Sequence, residues 1–327
     1  MKATAKISFG YFLMLWLFLF SAKEVQAWGF YAHERIHKNA VFYQPPELYG
    51  FYKEHLDYLV ENSVAADKRR YVEEEEGRKH YIDIDVYGEY PFDSLPREWD
   101  AAMAKFGKDT LHEYGTLPWS VEELFAELTE AFRSQNEAQI LRLSADIGHY
   151  VSDANSPLHT TLNYNGQLTG QEGIHSLWES RLPELFAEDY DLLVDEPYYV
   201  EDPLDAMFDI ILTSHQSVDS ILTIEREVRE EFQHDALYTY EERGQQRMRM
   251  PSVPFCREYH EAMNGMVERY FRKSIRDVAS FWYSAWVKGG KPELHASPDL
   301  SEELPDISPE NEISDPQPDD FKGRPDK

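Results

Sequence analysis

The sequence predicts an all-α fold, a single multi-helix domain, on two observations. Apolar residues recur at helical spacing in one segment after another between residues 32 and 287, and strand signals are confined to a single short run. The first helical segment is Ala32 to Phe42, closed by Pro45-Pro46, because proline cannot continue a helix. Glu47 to Asn62 resumes with Leu48, Phe51, Tyr52, His55, Leu56 and Leu59 on one face. Val121 to Phe132 and Ala138 to Val151 read as two further helices, with Asn155-Ser156-Pro157 ending the second. Ser176 to Phe186, Leu204 to Val228 and Tyr259 to Val287 complete the set. The strand-like run is Tyr81 to Val86, read as a short extended segment. Glu73 to Glu76 is a charge run whose default is a solvated loop.

With 327 residues, 42 % of them hydrophobic, the chain can bury one large core. A net charge of −29 argues against sequence-specific DNA binding, which needs a basic surface to neutralise phosphates. It does not exclude a nuclease, because bound divalent cations would make a cleft locally positive. Cys256 is the single cysteine, so no internal disulfide can form, and it reads as a small, partly buried residue at a helix start.

Residues 1–27 have the three parts of an export signal: basic Lys2 and Lys6, the apolar run Tyr11 to Phe20, and small residues around Ala27. The apolar run is short for a membrane span. Cleavage after Ala27 would leave Trp28 as the mature N-terminus and place the protein outside the cell or in the periplasm, with no stable transmembrane span. Residues 28–288 then form the domain, and residues 289–327, rich in Pro, Glu, Asp and Ser, read as a disordered acidic tail.

The chemistry concentrates in His149-Tyr-Val-Ser-Asp153-Ala-Asn-Ser-Pro-Leu-His159. His149 and Asp153 are four apart and project from one helix face, and His159 can fold back past the helix break. His175 and Glu179 repeat the four-residue step. One such pair is common as a surface ion pair; two pairs and a third imidazole make a metal site. Asp67, at the end of Val64-Ala65-Ala66, and His80, opening His80-Tyr-Ile-Asp83, add donors of the same kind, and His33 and His37 form another i,i+4 pair. His37 is a candidate to support a ligand from behind. His55, His112, His215, His234, His260 and His295 have no matched role.

In order and spacing, Trp28, His33, Asp67, His80, His149, Asp153, His159, His175 and Glu179 resemble the superfamily of bacterial zinc-dependent phospholipases C and single-strand-specific zinc nucleases. The resemblance spans roughly Trp28 to Glu179. It implies a mostly helical fold with three zinc ions (Zn2+) in a cleft. Asp67, His80, His149 and Asp153 would hold one; Asp153 would bridge to a second, bound also by His33 and by the α-amino nitrogen and carbonyl oxygen of Trp28. His159, His175 and Glu179 would hold the third. The implied activity is zinc-dependent phosphodiester hydrolysis by a metal-activated hydroxide, with Asp67 orienting or deprotonating the water.

The organic part of the ester stays open between single-stranded nucleic acid and a phospholipid head group. Arg70 stands where the nuclease branch places an arginine near the scissile phosphate, and Tyr81 and Asp83 match a residue pair that stacks a nucleobase and hydrogen-bonds its edge. The short gap from Trp28 to His33 is also nuclease-like. Glu179, in place of Asp, matches the phospholipase branch, yet Lys68 replaces the aromatic of its choline pocket. A metal-bound scaffold without catalysis is the alternative from another class. The catalytic enzyme is expected to act as a monomer.

Overall fold

The computed structural model describes residues 29–73, 75–232, 236–243 and 246–294. The export-signal reading, Trp28, and residues 295–327 of the acidic tail lie outside the described residues. Helix dominates, as the sequence predicts. The chain begins with α1 (Phe30–Phe42), α2 (Pro46–Glu54), α3 (Leu56–Asn62) and α4 (Ala65–Arg69). Two 3-10 turns, Gly77–His80 and Ile84–Tyr87, lead to α5 (Trp99–Phe106) and α6 (Lys108–Glu113). The long pair α7 (Leu117–Arg133) and α8 (Glu137–Ala154) follows, then a 3-10 turn Pro157–Thr160. One continuous stretch comprises α9 (Ile174–Ser176), a π turn Leu177–Arg181 and α10 (Leu182–Phe186). The chain closes with α11 (Pro203–His215), α12 (Val218–Glu231), an antiparallel hairpin of β1 (Tyr238–Arg243) and β2 (Gln246–Pro251), α13 (Val253–Ala262) and α14 (Met266–Lys288).

The core is organised around α8. From Ile140 to Ala154 it is buried at nearly every position, because α7, α14, α1, α3 and α11 pack around it. A helix covered all round needs polar residues only where they are used, which marks Asp146, His149 and Asp153 as functional or networked. Asn136 caps its start, the side chain accepting from Gln139 N at 3.1 Å. Trp282 of α14 locks the far side, donating its indole N–H to Ser144 O at 2.9 Å.

Five sequence expectations are corrected. Glu47 to Asn62 is two helices, parted at His55, whose backbone leaves helical geometry and whose Nδ1 binds Phe51 O at 2.9 Å. Leu204 to Val228 divides at Gln216-Ser217, where the Ser217 hydroxyl is 2.8 Å from that of Tyr270. Tyr259 to Val287 divides at Asn264-Gly265, both with positive φ (49° and 74°), the left-handed geometry that Asn and Gly tolerate best. Tyr81 to Val86 is extended only at its start and pairs with no strand among the described residues. Its amides bond loops instead, Ile82 N to His159 O at 2.9 Å and Asp83 N to Tyr114 O at 2.7 Å. Within the acidic run, Glu76 is not solvated but fully buried. Among the described residues no helix is long and apolar enough to cross a membrane.

Candidate metal centre

Four elements converge on one buried point. Helix α1 brings His33, α4 brings Asp67, the Gly77–His80 turn brings His80, and α8 brings His149 and Asp153. All five side chains are buried. His80 Nδ1 is 3.0 Å from Asp153 Oδ2, His149 Nε2 is 3.3 Å from the same oxygen, and the two nitrogens are 3.0 Å apart. Asp67 Oδ1 stands 3.8 Å from His80 Nδ1 and 3.7 Å from His149 Nε2. Donors about 2.0–2.1 Å from a tetrahedral zinc lie about 3.3 Å from one another, so His80, His149 and Asp153 are spaced as ligands of one ion could be.

Asp153 also faces the other way. Its Oδ1 is 3.4 Å from His33 Nε2, and the His33 ring stacks on that of His149 at 4.0 Å between centroids. The carboxylate therefore joins two imidazole groups through its two oxygens. A third group lies beside them: His159 Nε2 is 3.1 Å from Glu179 Oε1, and His175 Nε2 is 2.9 Å from Glu179 Oε2. Among the described residues three sets of ligand atoms lie close enough to hold an ion: His33 with Asp67 and His149; His80 with His149 and Asp153; and His159 with His175 and Glu179.

Hydrogen bonding orients these imidazoles. His149 Nδ1 is 2.7 Å from Ser63 O, and His159 Nδ1 is 2.6 Å from His80 O. A carbonyl only accepts, so each Nδ1 carries a proton and each ring turns Nε2 toward the carboxylates. His175 Nε2 comes within 2.9 Å of Glu179 Oε2, and among the described residues Asp67 Oδ2 and His80 Nε2 make no hydrogen bond. Buried polar atoms without partners are costly, and a cation held among these atoms would satisfy them. The donor set of imidazole nitrogens and carboxylate oxygens fits zinc.

Charge coupling is strong. Burial opposes protonation of His149, but Asp153 and Asp67 outweigh it and raise its pKa to about 9. Burial is likewise outweighed at His159 by Glu179 and Asp153, raising it to about 10. His33 and His80 are lowered to about 3, chiefly by burial. The Asp153 and Glu179 carboxyls are held well below their ordinary range despite burial, by His149 and His159 in the first case and by His159 and His175 in the second.

Residues behind the ligands hold them in place. The Tyr150 ring stands edge-on to His80 at 5.1 Å, and its hydroxyl donates to Glu76. Glu76 also accepts from Arg69 at 3.0 Å and Lys79 at 2.9 Å, and Arg69 reaches Asp146 at 2.9 Å. The Ser156 hydroxyl donates to Glu179 Oε1. His37 braces α1 on α8, with Nδ1 2.9 Å from His33 O and Nε2 3.0 Å from Ala145 O. Ser156, Tyr150 and Glu76 were not singled out from sequence, although Tyr150 and Ser156 lie inside the quoted motif. Cys256 is fully buried within the first turn of α13.

A small pocket adjoins His80, His159 and His175, lined by Arg70, Tyr81, Leu158 and Tyr164. Arg70 is buried, with Nη1 3.5 Å from Asp67 Oδ1. Tyr81 donates its hydroxyl to Glu113 O at 3.2 Å. Asp83 is buried near the Tyr87 hydroxyl, whose pKa it helps burial to raise, and it is not among the residues lining this pocket. Tyr164 has no counterpart among the sequence-derived candidates. No protein-family model matches the chain, and no curated protein matches it.

Proposed function

We propose that the protein is a zinc-dependent phosphodiester hydrolase of the kind its ligand spacing resembles, exported before it is loaded with metal. The observation that supports this most is Asp153, whose two oxygens face separate imidazole groups, the arrangement that holds paired ions. Asp67, His80, His149 and Asp153 would hold one zinc, Asp153 and His33 a second, and His159, His175 and Glu179 a third. Trp28 would complete the second: it stands one residue before Gly29, from which the chain enters the helix carrying His33. Bound zinc supplies Lewis acidity that polarises phosphoryl oxygens and makes water a competent nucleophile near neutral pH.

The chain's own residues supply the rest. Arg70, buried at the pocket wall, presents a planar guanidinium to a non-bridging phosphoryl oxygen. Asp67 Oδ2, which makes no hydrogen bond among the described residues, is the acceptor that orients attacking water and takes its proton. Tyr81 and Tyr164 offer aromatic faces to the group that carries the ester, and Ser156 fixes the Glu179 carboxylate. The substrate is a single-stranded nucleic acid or a phospholipid head group. Hydrolysis of bis(p-nitrophenyl) phosphate, abolished by a chelator and restored by zinc, tests the proposal; a zinc-loaded protein without activity on this ester, on single-stranded DNA or RNA, or on phosphatidylcholine would refute it and leave the scaffold reading.

A further inference from the structure

A cleft of about 550 Å³ opens between α11, α14 and the segment 190–202, and it shares no lining residue with the pocket beside the metal centre. Arg272, Lys273 and Arg276 enter it from one face of α14. Three carboxylates also border it, but two are already engaged. Asp277 accepts from Lys273 at 3.0 Å, from Asn155 at 3.0 Å and from the Tyr198 hydroxyl at 2.8 Å. Asp209 is bound by Arg97 at 2.9 Å. Arg272 and Arg276 remain, opposed by the exposed Asp195.

Neither guanidinium is well paired. Arg272 approaches a carboxylate only at 3.9 Å, at Asp191. Arg276 donates Nε to Glu196 O at 3.3 Å and lies 5.2 Å from the Tyr198 ring centroid, and among the described residues it makes no salt bridge. The two side chains are four residues apart on one helix, so their donor forks reach the same volume. In a chain of net charge −29 a concave wall that keeps two guanidiniums with, among the described residues, no carboxylate oxygen nearer than the 3.9 Å of Asp191 suits an oxyanion. Val194, Ile210 and Tyr198 give the same cleft an apolar side.

We propose that this cleft binds a small organic oxyanion, with a phosphate or carboxylate between Arg272 and Arg276 and its apolar part against Val194, Ile210 and Tyr198. The site does not depend on the metal centre. Calorimetric titration of the zinc-loaded full chain with phenyl phosphate, and separately with benzoate, tests it and tells the two oxyanions apart. The expected result is a saturable site that survives in the wild type when the metal-dependent site is discounted. An Arg272→Ala/Arg276→Ala variant weakens it about tenfold or more, each lost charged hydrogen bond counting for roughly that factor. Zinc content and melting temperature stay unchanged. Arg276→Lys, which keeps the charge and loses the fork, weakens binding by a smaller factor. Equal affinity in the wild type and the double variant overturns the proposal. So does the lack of saturation by either probe, up to ~10 mM, at any site that persists after chelation.

Discussion

Replacing Gly148 by Ala should destabilise the protein, against the usual sign for that exchange within a helix. Gly148 lies inside α8 with ordinary helical geometry, where alanine normally gains about 1 kcal/mol. A methyl group built there would sit 2.3 Å from His37 Nε2 and 2.9 Å from two ring carbons. The ring cannot swing away cheaply. It is fully buried, spans the carbonyls of His33 and Ala145, and packs edge-on to Trp282 at 5.8 Å. Overpacking of this kind costs about 1–3 kcal/mol, and displacing the buried hydrogen bond adds about 1–3 kcal/mol. The net loss is about 1–5 kcal/mol, which lowers the melting temperature by about 2–4 °C per kcal/mol in a domain of this size. The displacement also parts α1 from α8, and so His33 from Asp153. Thermal denaturation followed by circular dichroism, with zinc content measured on the same samples, reads both effects. A Gly148→Ala variant that melts higher than wild type with unchanged metal content would refute the reasoning.

Other outcomes follow from the same geometry. Asp153→Asn should remove more than one equivalent of metal, since each oxygen serves a different imidazole group; elemental analysis that finds a single equivalent lost would contradict the bridging role. Arg70→Ala should lower kcat by about tenfold to a hundredfold with metal content intact, as expected for a charged donor acting on the phosphoryl group, and an unchanged kcat would remove Arg70 from the mechanism. Glu76 is buried, which alone would raise its carboxyl pKa, but Arg69, His80, the Tyr150 hydroxyl and Lys79 together bring it down to about 2. A folded pKa below the unfolded value stabilises above about pH 4.5, and the contribution fades as pH falls toward 2; its full size is about 3 kcal/mol. Melting temperatures of Glu76→Gln and wild type should therefore differ most near neutrality and converge in acid, and a constant difference across that range would argue against the ion-pair account.

The donors were legible in sequence because a metal site needs scarce residue types at helical steps. His149 with Asp153 and His175 with Glu179 are four apart, and the structure places the first pair beside His80 and the second beside His159, while Asp67 groups with His33 and His149. Helix interiors were legible for a related reason, since burial on one face leaves a period in the chain. Boundaries were not. The parting at His55 depends on a ring bonding its own helix, and that at Ser217 on Tyr270, some fifty residues away in the chain. Glu76 looked like solvated charge because its partners Arg69 and Tyr150 come together only after α4 meets α8. Tyr81 to Val86 has strand-like side chains, but tertiary contacts to His159 and Tyr114 take its amides and leave it without a ladder.

Anomalous X-ray scattering at the zinc edge from crystals of the exported protein tests the central claim most directly. The account predicts three peaks: one enclosed by Asp67, His80, His149 and Asp153, one between His33 and the other oxygen of Asp153, and one held by His159, His175 and Glu179. Zinc-replete crystals with no peak inside these groups would contradict it.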